Sequence, residues 1–313
     1  MRVIVTGGAG FIGYHVAKHL VKKNYTVKVL DNFSRASFAK EIRKDKDMAI
    51  KQVDIRDKFS LINEFKGYDA VIHLAALISV EESISEPEKY HLVNTRGTLN
   101  VLEAARVSEV NKIVFSSSAA VYGEPIVLPI TEDHPLAPKS MYGATKVAGE
   151  LYCKAYSENY GIKVCTLRLF NVYGPGQSND YAGVISIFIR NILSNKPLTI
   201  FGDGRQTRDF VYVEDVARII EKVLNIDKEF EVFNVGTGSP TSVLQIADIL
   251  RDISSKDIEI IFKPRRAGDI THSYADNSKL LKAIGKFSFT PLREGLRRTF
   301  EWFKNYCSIT WYN

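Results

Sequence analysis

The residues of this chain best suited to moving a proton are a phenol and an ammonium four positions apart, Tyr142 and Lys146, with a run of hydroxyls upstream, Ser116-Ser117-Ser118. On a helix that spacing turns both side chains to one face. A free tyrosine, with a pKa of about 10, is a poor base at neutral pH, but a neighbouring cation stabilises its phenolate. Tyr142 could then accept and return a hydroxyl proton, with Ser118 orienting that hydroxyl. Taken alone, a tyrosine and a lysine four apart make an ordinary exposed helical pair. Their company elsewhere in the chain gives them chemical meaning.

That company begins with Thr6-Gly7-Gly8-Ala9-Gly10-Phe11-Ile12-Gly13, set between a β-branched run and a helical pattern. Glycines at 7, 10 and 13 allow a tight turn, close approach of the backbone to a pyrophosphate and close packing of helix on strand. The helix N-terminus then faces the anion with free N–H groups. Asp31 ends the second apolar run, where a carboxylate accepts hydrogen bonds from both adenosine ribose hydroxyls and repels a 2′-phosphate. NAD is therefore favoured over NADP, although Arg35 stands near enough to meet a 2′-phosphate. A positive nicotinamide beside Lys146 would help Tyr142 to ionise.

Positioning these groups calls for a particular set of elements. Val3–Val5, Val27–Leu30, Ala70–Leu74, Ile113–Phe115 and Val164–Leu167 predict buried parallel strands, because continuous apolar runs suit a sheet covered on both faces. Ile12, Val16 and Leu20 share one helical face, as do Val101, Leu102 and Ala105. The rhythm predicts an α/β fold, a doubly wound parallel sheet whose strand ends line a crevice. A long helix is expected from Met141 to Tyr160, capped by Ser140 and closed by Gly161. Residues 1–170 are read as the dinucleotide domain and 171–313 as a smaller mixed α/β substrate domain. Roughly 208–236 return to the first domain, through strands at Phe210–Val213 and Val232–Val235.

The chain has 313 residues, 45% of them hydrophobic, enough for one large core or two modest ones. Its net charge of +6 is spread among acids, with no basic run interleaved with aromatics, so no nucleic-acid partner is expected. Cys153, Cys165 and Cys307 lie too far apart for zinc ligation or a disulfide framework, and no metal is expected. No signal peptide or membrane span is legible, and a cytoplasmic location is expected.

At these residues the sequence resembles the extended short-chain dehydrogenase/reductases, in particular UDP-glucose 4-epimerases and their N-acetylhexosamine-accepting relatives. The resemblance covers nearly the whole chain. It rests on TGGAGFIG at 6–13, Asp31-Asn32, Asp54-Ile55, His73-Leu74-Ala75-Ala76, SSSAAVYG at 116–123, YGATK at 142–146, LFNVYGPG at 169–176, TRDFVYVEDVA at 207–217 and PRRAGD at 264–269.

It implies an NAD site built from Gly7, Gly10, Phe11, Ile12, Gly13, Asp31, Asn32, Ser34 and Arg35. Asp54 and Ile55 would flank the adenine, and Leu74, Ala75 and Ala76 would line the cofactor backbone. Asn94, Ser116 and Phe170 would lie with Tyr142 and Lys146 among the remaining cofactor contacts. A UDP-sugar would be met by Ser118, Tyr142, Asn171, Val184 and Asp269, with Arg208 and Arg266 clamping the pyrophosphate and Thr199, Ile200 and Phe201 reading the uracil. The implied reaction oxidises C4 of a hexose transiently, lets the keto sugar turn about its pyrophosphate link, and reduces it from the other face. The implied assembly is a homodimer through the helices carrying Tyr142 and residues 88–106.

Related 4,6-dehydratases carry an Asp-Glu pair where this chain has Ala119-Ala120, and an alanine cannot carry a proton. UDP-glucuronate epimerases and decarboxylases stay open, as does a non-catalytic NAD-binding sensor. Seven residues past Arg266 comes Ser273, where hexose-only epimerases resembling this chain carry a bulky tyrosine. A serine there leaves room for a 2-acetamido group, although Tyr274 is adjacent and a one-residue shift reverses the conclusion. Ile78 stands where many such epimerases place a lysine against the cofactor, which bears on how firmly NAD is retained.

Overall fold

Two faces of one sheet account for most of the buried aliphatic side chains. Along the first strand Val3 and Val5 face one core, with Val16, Leu20, Val216, Ile219 and Ile220. Ile4 faces the other, with Leu61, Phe65, Val101, Phe115 and Tyr156. The alternation follows from the two-residue period of a strand, and covering both faces explains why the run reads as continuously apolar. Each such aliphatic side chain, fully buried, contributes about 1.5–3 kcal/mol.

The structure is a computed structural model and describes residues 1–177, 183–265 and 270–310. Its strands are β1 (Arg2–Thr6), β2 (Thr26–Asp31), β3 (Ala49–Gln52), β4 (Ala70–His73), β5 (Lys112–Ser118), β6 (Lys163–Leu169) and β7 (Asn171–Tyr173). They continue with β8 (Leu198–Phe201), β9 (Thr207–Tyr212), β10 (Phe230–Val235), β11 (Pro240–Ser242), β12 (Ile260–Lys263) and β13 (His272–Ser273). The helices are α1 (Phe11–Lys22), α2 (Ala39–Arg43), α3 (Lys58–Phe65), α4 (Val80–Ser85), α5 (Pro87–Tyr90) and α6 (Gly97–Val107), with a π-helical turn over His91–Arg96. Then come α7 (Met141–Tyr160), α8 (Val184–Leu193), α9 (Val213–Val223), α10 (Val243–Ser254), α11 (Ser278–Ile284) and α12 (Leu292–Thr310).

The main sheet runs β10-β6-β5-β4-β1-β2-β3, all parallel. Chain order reverses between β1 and β4, so the carboxyl ends of β1, β2, β4 and β5 open onto a crevice there. The smaller unit centres on β9, flanked by β11 and β13 and paired also with β7, while β12 pairs β8. Its core gathers Tyr173, Phe188, Ile200, Phe210, Ile246 and Leu296.

One expectation about the returning segment is corrected. Val232–Val235 lies in β10, beside β6 in the main sheet, but Phe210–Val213 does not join that sheet. It forms the end of β9 and the first residue of α9. It is placed there by its pairings with β7, β11 and β13. Beside them the buried Asp209 carboxylate accepts hydrogen bonds from the Thr237, Gly238 and Ala275 N–H groups at 2.8, 2.9 and 3.1 Å, bonds that would be costly to leave unmade. From α9 the chain does return, packing Val216, Ile219 and Ile220 into the core under β1.

The long helix α7 starts where Ser140 Oγ accepts the Gly143 N–H at 3.0 Å. It ends at Gly161, whose φ of 68° suits a left-handed cap. No helix among the described residues is long and apolar enough to cross a membrane, and none of those residues form a cluster able to hold a metal ion.

Candidate active site

A cleft of about 630 Å³ follows the switch point and continues between the two units. Its floor at one end is the turn after β1. Gly7 adopts φ +70°, a conformation that L side chains rarely take. At Gly13 a Cβ would sit 2.1 Å from the Gly7 carbonyl oxygen, so α1 reaches this close to its strand only through a glycine. Phe11 and Ile12 begin α1, and with Gly7, Gly10 and Gly13 they line the cleft. The N-terminus of α1 has no side-chain cap, which leaves its N–H groups for an anion.

Asp31 closes β2 beside this turn. Its carboxylate accepts the Ala9 N–H at 3.0 Å and the Phe33 N–H at 2.7 Å, one on each oxygen, and burial raises its pKa against those bonds. Each oxygen keeps a lone pair for a ribose hydroxyl. Asn32 Oδ1 accepts from the Ser34 N–H and hydroxyl, and Asn32 Nδ2 donates to Asp54 at 2.9 Å. The Arg56 guanidinium holds Asp54 well below the usual carboxylate range. Ile55, Leu74, Ala75 and Ala76 line the same end, and Arg35 lies among them.

The Arg35 fork is engaged by Glu82 of α4, at 2.9 and 2.6 Å to its two oxygens. Glu82 also accepts from Lys89 and Tyr90, and Lys89 foremost, with Arg35, holds its pKa down to about 2. This pairing offsets the charge that Arg35 would bring to a 2′-phosphate and leaves Asp31 to decide between dinucleotides. In an Asp31→Ser variant, NAD affinity is expected to fall about tenfold or more, with the NAD-over-NADP preference narrowing by a similar factor. Titrating both dinucleotides into the cofactor-free chain checks this; an unchanged preference would remove Asp31 from the discrimination.

The proton-transfer groups meet at the carboxyl end of β5. Lys146 Nζ donates to the Ser116 carbonyl at 2.7 Å and lies 5.9 Å from the centre of the Tyr142 ring. Burial raises the Tyr142 pKa and the neighbouring Ser118 works against that rise, while Ser118 Oγ itself accepts the Ala120 N–H at 3.1 Å. Burial likewise pushes the Lys146 ammonium down to about 8. Ser116, Ser118, Tyr142 and Lys146 all line the cleft, with Phe170 beside them.

At the far end stand Asn171, whose Nδ2 donates to the Asp209 carbonyl at 3.1 Å, Val184 at the start of α8, and Thr199, Ile200 and Phe201 of β8. Arg208 of β9 lines the cleft and donates to the Thr207 carbonyl at 2.9 Å. Arg266 and Asp269 lie outside the described residues.

Two expected contacts are placed elsewhere. Asn94 does not line the cleft: it is buried in the π-helical turn, where its amide accepts the Leu77 N–H and donates to the Leu77 carbonyl, both at 2.8 Å. A third bond reaches Thr145 Oγ1 on α7 at 3.1 Å. Asn94 thus shapes the cleft wall through Leu77, because a buried amide must satisfy both its ends. Ser273 is also buried and absent from the lining, drawn into β13 opposite Arg208.

Conversely, Leu77, Ser117, Val172 and Gln177 line the cleft without having been singled out as contacts, and Ile78, expected beside the cofactor, lines it too. Leu77 and Ile78 directly follow the His73–Ala76 run, and Gln177 follows Gly176, so adjacency to a recognised motif was the available signal. Ser117 carried none beyond its neighbours.

Comparisons with known proteins agree with this geometry. The model of the NAD dependent epimerase/dehydratase family matches residues 3–236. A putative UDP-glucose 4-epimerase of Methanocaldococcus jannaschii is 43% identical, over 97% of this chain and 98% of that one. The UDP-glucose 4-epimerase of Thermotoga maritima, solved with UDP-glucose, superposes with a TM-score of 0.93 at 37% identity, covering 98% of this chain and 100% of that one. A UDP-N-acetylglucosamine 4-epimerase from Methanobrevibacter ruminantium, solved with UDP-N-acetylmuramic acid, gives 0.92 at 37% identity, covering 97% and 98%.

Proposed function

The chain belongs to the NAD-dependent epimerase/dehydratase family, and from that premise we propose that it is a UDP-hexose 4-epimerase interconverting UDP-galactose and UDP-glucose. The observation that carries this reading is the Tyr142 phenol, sharing its part of the lining with Ser118 and Lys146, in one continuous cleft with the Asp31 turn at one end and Arg208 with β8 at the other.

NAD, held by the Gly7–Gly13 turn and Asp31, supplies the reversible oxidation at C4 when bound. Tyr142 Oη takes the C4 hydroxyl proton and gives it back, while Ser118 Oγ orients that hydroxyl. Burial works against a phenolate, so positive charge nearby is required, and Lys146 is the chain's own source. Burial lowers the Lys146 pKa to about 8, which still leaves the cation as its main form at neutral pH.

Inversion also requires that the sugar turn while the nucleotide stays. Arg208 and the β8 backbone suit a pyrophosphate and a uracil. Near Tyr142 the wall includes Leu77, a side chain that offers a hexose no directional hydrogen bond. Firm anchoring at one end and a permissive wall at the other favour epimerisation over a reaction that needs a fixed sugar.

Two neighbouring chemistries are disfavoured. Ala119 and Ala120 form the 3-10 turn beside Tyr142, so the extra acid and base of a dehydratase are missing at that place. Among the described lining residues the cations are Arg35, Lys146 and Arg208; Glu82 engages the first and the Ser116 carbonyl the second. Among the described residues, a glucuronate carboxylate beside Tyr142 would thus meet no cation other than Lys146. Ser273, being outside the lining, gives no argument for a roomier pocket, and the reading commits to the unsubstituted hexose.

The test is a coupled assay following UDP-galactose to UDP-glucose with no added oxidant or reductant. Turnover without net reduction of the cofactor is expected. Net cofactor reduction would point to a dehydrogenase and the absence of any turnover to an NAD-binding sensor. UDP-GalNAc assayed in parallel measures the room at the 2-position.

A further inference from the structure

Glu150 follows Lys146 by one turn on the same face of α7, so Tyr142, Lys146 and Glu150 form one stripe. It is 4% exposed, and its carboxylate is bound by Arg168 of β6, itself 5% exposed: Nε to Oε1 at 3.0 Å and Nη2 to Oε2 at 2.7 Å. The remaining Arg168 nitrogen donates to the Tyr122 hydroxyl at 2.9 Å and to the Glu132 carbonyl at 2.7 Å. Tyr122 in turn donates to Asn234 Oδ1 on β10 at 2.6 Å.

On the cleft side Ser117 Oγ donates to Glu150 Oε1 at 2.5 Å. Its two neighbours in the strand belong to the site, Ser116 through its carbonyl on Lys146 and Ser118 by lining the cleft with Tyr142. Ser117 is therefore the point at which the ion pair grips the strand end that carries both residues.

A buried ion pair is a poor way to gain stability, since apolar side chains of similar volume do as well or better. What it offers is one fixed geometry between the elements it joins, here β5, β6 and α7. We propose that Ser117, Glu150 and Arg168 are positioning residues for the Tyr142–Lys146 site, setting the height of the β5 end against α7 and compensating charge beside Lys146. The inference rests on the reading of Tyr142 as the proton carrier of a C4 epimerisation.

The surroundings of Lys146 support the charge argument. From α7 it faces Tyr142, Glu150 and Cys153; from β4, His73, kept neutral by burial with a pKa of about 3; from β5, the Phe115 ring and the Ser116 carbonyl. The Glu150 carboxylate opposes the lowering that burial imposes on the ammonium, whereas the buried Cys153 thiol stays neutral. Arg168, from β6, is offset by Glu150. Removing the Glu150 charge leaves Arg168 uncompensated and makes the Lys146 cation harder to keep.

The test uses the NAD-bound enzyme. Tyr142 ionisation is followed by tyrosinate difference absorbance against a Tyr142→Phe background, and kcat and KM for UDP-galactose are measured across pH. In Ser117→Ala the Tyr142 titration is expected to move to higher pH and kcat to fall about three- to tenfold, with KM, bound NAD and thermal midpoint near wild type. In Glu150→Gln the alkaline limb of kcat is expected to move down by about one pH unit, because protonated Lys146 is lost sooner. If Glu150→Gln does not fold, Ser117→Ala decides.

A Ser117→Ala enzyme with an unmoved Tyr142 titration and unchanged kcat overturns the proposal. So does a loss that appears in thermal midpoint and KM alike with the pH profile in place, which is what a purely structural role would give. If the wild-type enzyme turns over no UDP-hexose, the epimerase reading fails by itself, and the tyrosinate titration still tests the positioning.

Discussion

Tyr142→Phe is expected to lower turnover of UDP-galactose by about a thousandfold or more while NAD stays bound and KM changes little. The ring would keep its packing against Leu77 and Tyr90, since only an oxygen is removed from a side chain that is 9% exposed. What disappears is the oxygen that would carry the proton. Positioned general acid–base groups are worth about 10²–10⁴ in rate, and the other phenol lining the cleft among the described residues, Tyr173, donates its hydroxyl to the Leu292 carbonyl. Turnover assays, with NAD content per chain measured after gel filtration, check both halves. A variant that turns over at near the wild-type rate would exclude the phenol from the mechanism; one that turns over slowly because it has lost NAD would instead make Tyr142 a cofactor contact.

Gly13→Ala is expected to abolish tight NAD binding, a loss of about a hundredfold or more, and to lower stability by about 1–3 kcal/mol. The new Cβ would lie 2.1 Å from the Gly7 carbonyl oxygen and 2.7 Å from the Gly8 Cα, both backbone atoms that no rotamer change can move. Either α1 lifts from β1 or the turn deforms, and both displace the N–H groups that would face a pyrophosphate. Gly161→Ala is the control. There the added methyl meets nothing within 4 Å, and only the φ of +68° is strained, so a cost of about 1 kcal/mol and unchanged NAD binding are expected. Calorimetric titration with NAD and thermal melts of both variants separate steric from conformational effects. Equal NAD affinity in Gly13→Ala and wild type would show that the turn does not need this close approach.

The legible features share one property: the residues that make them are close in the chain. The turn at 6–13, Asp31 at a strand end, and the four-residue step from Tyr142 to Lys146 each declare a local geometry, and Ser140 and Gly161 mark the ends of the helix between them. The strand Val232–Val235 could be expected in the main sheet from its apolar run alone. Phe210–Val213 reads just as apolar, yet it goes to the other unit, where β9 pairs with β7, β11 and β13. No periodicity announces such partners.

The same holds within the site. Asn94 looks like a cofactor contact until its amide is seen satisfied by Leu77 and Thr145, and Arg35 looks like a threat to NAD selectivity until Glu82, 47 residues on, takes its fork. Glu150 and Arg168 read as an unremarkable acid and base in sequence, since nothing local shows that they are buried against each other.

Sequence alone thus determined which reactive groups this protein possesses and the local backbone shapes that present them, because helix spacing, caps and glycine turns are short-range properties of the chain. Tertiary structure decided which polar groups face the cleft and which are spent holding it in shape, because a buried hydrogen-bonding group must find its partner wherever the fold brings one, at any distance along the chain.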